Sequence, residues 1–464
     1  MMNKSFRRLA AGVLLCSIVQ TSVTVSAEQP EIQVVNEAVS LNSAVALSKK
    51  DILKIARYHI QNYMKDDIQT RGKSIRVSSD FLELYDLAGN VFAYMIPLME
   101  GGKEIGFMTV GAIADGYDVY SIRIEDNAVE AFRAQRDKEL AAGAADARVI
   151  FLPPYKYFVE STNGDGQKYA DVTSPSAAAA DVTALITNNK SAIQANYRSI
   201  RSSENQQHLQ KIMKTADPLQ AVPSEDLLSP SASAALDTSA AAAATVTKED
   251  VSLSSERNFS QFVPIEYPKG SGVYSYGGDQ GWYAKSSEQS NGCGPVAAAN
   301  ITNYMAKVTN ATKYGKLYTG STLSHADFLA HMNTMYSRIN PGKLGELSIW
   351  DFADDVETYA KDKGVTLKRV TSSASFTLDN TATYIKAGLN SNVPVGTLNL
   401  SKFSDYEFEW HWMTITKYYR DVNDNRWIAV STWGRRESIN YRTHFDAMKA
   451  FEGIIGSPGL IYFS

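Results

Sequence analysis

Cysteine is almost absent from this sequence, since Cys16 and Cys293 are the only two in 464 residues. Histidine is also scarce, and its six copies are scattered without the close His/Cys spacing of a zinc site. Acidic and basic residues are nearly balanced, at 50 and 46, so there is no basic excess to attract nucleic acid. We therefore expect no metal, no cofactor and no nucleic-acid partner.

Long hydrophobic runs are lacking as well. The apolar run at residues 9–19 is shorter than the roughly 20 residues that a membrane helix needs, and no later stretch approaches that length. Lys4, Arg7 and Arg8 precede this run, and the small-residue sequence at 25–27 follows it, which is the pattern of a secretory signal peptide. We expect residues 1–27 to be a signal cleaved near Ala27, giving a secreted, extracellular protein without membrane contact.

Removal of this signal would leave Cys293 as the only cysteine of the exported chain. A single cysteine cannot form an internal disulfide, although an oxidising compartment favours disulfides. The retained thiol therefore indicates a chemical role, although a lone cysteine is often no more than a small buried apolar residue.

The first folded unit is expected at residues 28–161. Residues 47–63 have helical apolar spacing, with Ser48 as a plausible N-cap. Strand-like patterns follow at 81–85, 91–97, 105–110 and 149–152, separated by glycine-containing turns. These patterns predict a small α+β unit.

A change in composition predicts a connector at residues 162–256. Alanine, serine and proline dominate 174–180 and 229–245, and residues 240–244 are all alanine. Residues 181–214 have helical character but few large apolar side chains, so we expect at most one weakly packed helix there. Residues 257–464 then form the larger folded unit, which contains Cys293 and all six tryptophans.

The sequence around Cys293 is typical of a nucleophile at a helix start. Asn291-Gly292-Cys293-Gly294-Pro295 leads into the alanine-rich residues 296–305, and Pro295 suits the first position of a helix. The helix dipole and free backbone amides at such a position favour the thiolate, which is the reactive form of cysteine.

A thiolate nucleophile needs a base, and His411 is the best candidate. It begins an alternating, strand-like segment, followed by a turn at 421–425 and a return strand at 426–432. A histidine at the start of a strand can face a helix N-terminus across a cleft. His444 is a rival base, but it lies in a polar segment.

These motifs resemble the papain clan of cysteine peptidases. The closest likeness is to the double-glycine, bacteriocin-processing type of peptidase domain, carried by residues 291–295, 385–395, the His411 strand and Ser431-Thr432-Trp433-Gly434. Residues 84–97 and 106–110 are also similar to the propeptide of streptopain-like peptidases. The resemblance implies an α+β, two-lobe catalytic domain, with a helical lobe and an antiparallel sheet lobe, after a small α+β pro-domain.

The resemblance also implies the roles of individual residues. Cys293 would be the nucleophile, His411 the general base and acid, and Trp433 a shield against water. Family members supply an oxyanion donor from a glutamine upstream of the cysteine. Gln289 and Gln280 are the candidates here, and Gln289 is preferred.

The third catalytic residue is less clear from the sequence, since the family uses Asn or Asp to orient the imidazole. Ser431 occupies the place of that asparagine. Asp421, Asn423 or Asp424 could serve instead, or Cys293 and His411 could act as a dyad.

We therefore expect a secreted cysteine peptidase that acts on peptides or proteins through an acyl-enzyme, with its own N-terminal region as inhibitor. Two other functions remain open. The same fold can cut peptidoglycan stems, as an endopeptidase or amidase, and it can persist as a non-catalytic binding or inhibitory module.

Overall fold

The computed structural model describes residues 45–164, 166–173, 179–216, 246–342, 348–399, 411–449 and 459–464. The expected signal at residues 1–27 and most of the alanine-rich tract therefore lie outside the described residues. Residues 44–464 group into one compact unit. No helix in the described ranges combines the length and the apolar character needed to cross a bilayer.

Helix α1, Lys49–His59, opens the described chain where the sequence predicts a helix. Ser48 is its N-cap, and Asp51 completes a capping box by accepting from the Ser48 backbone amide. The helix continues as a π-helical turn over Ile60–Met64. Its apolar face, which includes Ile52 and Ile55, is fully buried.

The predicted strands of the N-terminal part are confirmed, and further elements accompany them. The helices and strands between α1 and residue 216 are β1 (Ile75–Val77), β2 (Leu82–Tyr85), β3 (Val91–Glu100), β4 (Lys103–Gly111), β5 (Val119–Arg123), α2 (Ala128–Ala141), β6 (Asp146–Leu152), β7 (Lys156–Asn163), β8 (Gly166–Asp171), β9 (Ala180–Asp181), α3 (Thr183–Asn188), α4 (Lys190–Ser199) and α5 (Ser203–Ala216).

The expected connector at 162–256 is folded over much of its described length. Strand β8 pairs with β7 and extends the sheet. Helices α3 and α4 bury Ile186, Ile193 and Tyr197 in the apolar core of the N-terminal part. A few well-spaced apolar residues are enough to dock short helices onto an existing sheet, which the overall composition of the segment did not reveal.

The C-terminal part begins with a strand and then becomes helical before it returns to strands. Its elements are β10 (Glu249–Ser252), α6 (Ser254–Phe259), a 3-10 turn (Gln280–Trp282), α7 (Ser286–Asn291), α8 (Cys293–Tyr304), a π-helical turn (Met305–Thr309), α9 (Ala311–Tyr314), a 3-10 turn (Gly315–Leu317), α10 (His325–Ile339), α11 (Ile349–Asp362), α12 (Leu378–Asn390), β11 (Val395–Asn399), β12 (His411–Arg420), β13 (Arg426–Thr432), β14 (Arg435–Asn440), α13 (Tyr441–Lys449) and β15 (Leu460–Ile461).

One mixed sheet of 15 strands runs through both parts, so the fold is mixed α+β as the sequence predicts. Strand β14 pairs with β5, with Ser438 opposite Ile122, and this pairing joins the two halves of the sheet. Strands β2 and β6 are parallel, whereas the other pairs are antiparallel. The boundary expected near residue 161 is therefore not a gap between separately packed units.

Buried ion pairs accompany this junction. Arg123 on β5 lies 3.2 Å from Glu437 on β14, and both side chains are almost fully buried. Arg436 lies 2.7 Å from Asp67 and 2.6 Å from Glu256. Buried charges are tolerated only when they are closely paired. The Arg123–Glu437 and Arg436–Asp67 pairs join the two parts, whereas the Arg436–Glu256 pair lies within the C-terminal part.

Candidate active site

Cys293 lies at the start of helix α8, as predicted, although Cys293 rather than Pro295 is the first helical residue. The next turn is buried, and Cys293 is only 7% exposed. Glycine is required at 292, because a β-carbon there would collide with the Glu288 carbonyl and the Tyr283 ring. Burial raises the pKa of the Cys293 thiol, although backbone amides of Trp412 and Gly294 act in the opposite direction.

His411 is the first residue of β12 and is 5% exposed. Its ring stacks on Trp433, with 4.2 Å between centroids and 10° between planes. Its Nε2 atom lies 2.7 Å from Oγ1 of Thr432. Burial, with a smaller contribution from the positive charge of Lys156, holds the pKa of His411 well below its usual range.

Cys293 and His411 line one small cavity between α8 and the ends of β12 and β13. The cavity is where a helix N-terminus meets the sheet, the arrangement expected from the sequence. The residues that line it are Gly278, Gln280, Cys293, Val296, Ala297, Asn300, His411, Trp412, Met413, Thr414, Ser431, Thr432 and Trp433.

The structure distinguishes the two candidate glutamines. Gln280 lines the cavity, whereas Gln289 does not. The exposed Gln289 side chain donates to the carbonyls of Tyr283, at 2.7 Å, and Gly281, at 3.2 Å. Gln280 donates through Nε2 to the Gln289 carbonyl at 2.7 Å, and an amide nitrogen has a second hydrogen to donate. Of the two candidate glutamines, Gln280 is therefore the one that the structure places at the cavity with Cys293.

A tight loop holds Gln280 at the cavity. The Gly278 amide donates to Oδ1 of Asn300 on α8, at 2.8 Å, and the Gly434 amide donates to the Gly278 carbonyl, at 3.0 Å. Asp279 caps the following 3-10 turn by accepting from the Gly281 amide, at 2.8 Å. Gln280 is therefore positioned from both the helix and the sheet.

Ser431 supports this loop and makes no hydrogen bond to His411. Its hydroxyl donates to the Tyr276 carbonyl at 2.5 Å and lies 3.5 Å from Nδ2 of Asn300. Thr432, one residue further along β13, is the group that contacts the imidazole. Of these two neighbours in the Ser431-Thr432-Trp433-Gly434 motif, Thr432 and not Ser431 therefore contacts His411.

Asp421 lies too far away to orient His411. It follows the last residue of the ten-residue strand β12, roughly 30 Å from His411 along the strand axis. Its carboxylate accepts from the amides of Asn423 and Asn425, at 2.8 and 2.9 Å, and so stabilises the β12–β13 turn. Asp424 is in the same turn and pairs with Arg426 at 2.8 Å.

The rival base His444 is elsewhere. It is fully buried on α13, and its Nε2 atom lies 2.8 Å from Oγ1 of Thr397. Burial lowers its pKa to about 3. It does not line the cavity of Cys293, so a hydrogen-bonded core role accounts for it.

A turn from the N-terminal part contacts the rings of His411 and Trp433 at the edge of the site. The Tyr155 ring, between β6 and β7, lies 6.0 Å from the His411 ring and 5.8 Å from the Trp433 ring, measured between centroids. Lys156 places its ammonium 4.7 Å from the Trp433 ring centroid. Sequence patterns gave no sign of this contact, because it joins residues more than 250 positions apart.

The described residues offer no metal site, and comparison with known proteins gives no match. Within the described ranges, no group of three His, Cys, Asp or Glu side chains is arranged to hold a metal ion. No protein-family model matches the chain, and a search of curated proteins finds no match either.

Proposed function

We propose that the chain is a cysteine peptidase in a latent form, with Cys293 as nucleophile and His411 as general base and acid. The observation that carries this proposal is the single cavity lined by both residues, with the sulfur at the start of α8. Thiolate and imidazole need this two-sided arrangement, in which a helix N-terminus faces a strand. A merely structural thiol has no need of an imidazole, an amide donor and a stacked tryptophan beside it.

The chemistry follows from the positions of these groups. The Sγ thiolate attacks the carbonyl carbon of a peptide bond, and the oxygen takes the electron pair of the C=O double bond. The Cys293 amide and Gln280 Nε2 are the oxyanion donors. As the C–N bond breaks, the protonated His411 gives its proton to the departing amine, and a thioester remains on Cys293. His411 then removes a proton from water, whose oxygen attacks the thioester and releases the acid and the thiolate.

Thr432 fixes the imidazole in this mechanism. Its hydroxyl engages Nε2 of His411, which leaves Nδ1 as the atom that exchanges protons with sulfur and substrate. Trp433 covers one face of the ring and keeps water from it. Thr432 is a neutral partner and stabilises an imidazolium less than a carboxylate does, so the pair approaches a dyad.

The proposed architecture is papain-like. Helices α8, α10 and α11 would form the helical lobe, and strands β11–β14 the sheet lobe. Residues 45–216 would be the pro-domain, which supplies the turn that covers the site. Export with cleavage near Ala27 remains a prediction from the sequence.

Latency is consistent with the charges at the site. Burial raises the pKa of Cys293 and lowers the pKa of His411, so the covered pair is a thiol and a neutral imidazole. Displacement of the turn that carries Tyr155 would admit water and lessen the desolvation that shifts both pKa values, whereas loss of the Lys156 charge would favour the imidazolium and disfavour the thiolate. The reactive ion pair would then form at neutral pH.

The test compares the unaltered chain with the Cys293→Ala variant and measures how much substrate each hydrolyses. Casein hydrolysis and self-processing should both disappear in the variant, while its circular dichroism and thermal unfolding stay unchanged. Purified cell-wall peptides form a second arm, because cleavage there but not of casein would favour the peptidoglycan function. If trimmed, folded protein hydrolyses neither substrate, the non-catalytic module is the correct function.

A further inference from the structure

The turn between β6 and β7 is buried, which is unusual for a hairpin turn. Turns normally run over the surface of a protein, where water satisfies their backbone groups. Here Pro153, Pro154 and Tyr155 are all buried, and Tyr155 is only 2% exposed. The turn is therefore inserted into another part of the molecule.

Tyr155 belongs to a different apolar core from its own neighbours. Phe151 and Tyr157, on the flanking strands, pack in the core of the N-terminal part. Tyr155 packs instead in the core that contains Cys293 and Met413. The Tyr155 side chain therefore packs in the core of the C-terminal part, although the residues on either side of it pack in the core of the N-terminal part.

The position that Tyr155 fills is walled by aromatic rings. Trp433 meets it edge to face at 67°, and His411 meets it at 58°. Such tilted arrangements suit another aromatic ring, because the positive edge of one ring faces the negative face of the other. An alanine side chain would leave most of this space empty.

We propose that this position, beside His411 and Trp433, is a substrate subsite that selects an aromatic side chain next to the scissile bond. The inference rests on the proposed peptidase function and names its substrate class. Because His411 must reach the departing amine, a group packed against its ring lies beside the bond that breaks. Tyr155 occupies this subsite in the latent chain and leaves it vacant when the N-terminal part is displaced.

The first test measures binding without catalysis. The full chain carries Cys293→Ala, so that it cannot process itself, together with Tyr155→Ala to empty the subsite. N-acetyl-tyrosinamide should bind this chain at least about tenfold more tightly than N-acetyl-alaninamide does, as measured by calorimetry. Adding Trp433→Leu should weaken that binding several-fold, which locates the probe at the subsite.

Matched variants control for the cavity and for folding. Cys293→Ala with Tyr155→Phe keeps the subsite filled and should not bind the probe. Cys293→Ala with Tyr155→Ser also empties the subsite but keeps a hydroxyl in the turn, so it should bind N-acetyl-tyrosinamide even if the alanine variant fails to fold. Equal affinity for the tyrosine and alanine amides, absence of binding to both emptied variants, or equal binding by the phenylalanine variant would overturn the proposal.

A second measurement separates this proposal from the peptidase function. With Cys293 intact, Tyr155→Ser should cleave peptides that carry Tyr or Phe beside the bond with kcat/KM at least about tenfold higher than matched alanine peptides. Cleavage without that preference would reject the aromatic subsite and leave the peptidase. Selective binding of N-acetyl-tyrosinamide without any cleavage would reject the peptidase and leave the ring-binding site.

Discussion

Thr432 holds the ring of His411 through a 2.7 Å contact between Oγ1 and Nε2, in a buried environment. If this contact orients the general base, Thr432→Val should lower kcat roughly tenfold to hundredfold, with little change in KM. Thr432→Ser keeps the hydroxyl and should retain most of the activity. Thr432→Asn also offers a hydrogen-bonding side chain and should retain most of the activity. The pH dependence of kcat should shift only in the valine variant. Full activity of Thr432→Val at every pH would show that the contact is only structural.

The two glutamines provide a matched pair of variants. Gln280→Ala removes the side-chain donor at the cavity and should reduce kcat on the order of a hundredfold, because that donor acts on the charge that develops in the transition state. Gln289→Ala removes only hydrogen bonds to the carbonyls of the preceding turn and should cost less than tenfold. The two kcat values, measured on one peptide substrate, decide the assignment. A larger loss for Gln289→Ala would return the oxyanion role to Gln289.

Asp67 should make stability depend on acid pH. Burial alone would raise the pKa of Asp67, but Arg436 and Lys417 lower it to about 2. The unfolded value is about 3.9, so the contribution is complete above about pH 4 and is lost as the pH falls toward 2. The free energy of unfolding should fall by about 2 kcal/mol across this range through Asp67.

Urea unfolding between pH 2 and pH 7 measures this contribution. Asp67→Asn is the control, since an amide does not titrate but keeps the size of the side chain. The asparagine variant should be less stable at pH 7 and should lose less stability on acidification. Parallel curves for the two proteins would contradict the role of Asp67.

The thiol of Cys293 should react slowly in the unprocessed chain. Burial raises its pKa, so alkylation by iodoacetamide should need a pH above the ordinary thiol value of about 8.5. Tyr155→Ala should move the rate profile toward lower pH, because water then reaches the site and lessens the desolvation of the thiolate. Rapid alkylation of the unaltered chain at pH 7 would show that Tyr155 does not cover the site.

Local patterns in the sequence were sufficient for several elements. Ser48 marks the start of α1, and the Gly-Cys-Gly-Pro sequence places Cys293 at the start of α8, because caps and first-turn residues act over a few positions. The strand that begins at His411 follows from its alternation, and its return strand from the turn at 421–425.

Contacts that depend on tertiary register could not be read in this way. A bulge in the pairing between β12 and β13 lies between Ile415 and Lys417, close to the pairing of Thr414 with Ser431. Whether Ser431 or Thr432 meets His411 depends on this register, since adjacent strand residues face opposite sides. The same limit applies to Gln280. Helix α7 separates it from Cys293 in sequence, and only the tertiary fold places both residues at one cavity.

The junction of the two parts depends on contacts that are still more distant in sequence. Strands β5 and β14 pair although more than 300 residues separate them, and nothing in the local sequence of either strand predicts which strand it pairs with. The connector was misjudged for a related reason. Its alanine and serine content concealed Ile186, Ile193 and Tyr197, whose burial becomes evident only against the sheet.

The covalent thioester on Cys293 is the central claim, and mass spectrometry of an acid-quenched reaction tests it most directly. A slowly hydrolysed peptide p-nitrophenyl ester is mixed with the trimmed chain, and the protein is digested after quenching. We predict that the mass of the acyl group appears on the peptide that contains Cys293, is absent in Cys293→Ala and is strongly reduced in His411→Ala. Turnover of the ester without that adduct, or an adduct on another residue, would contradict the account.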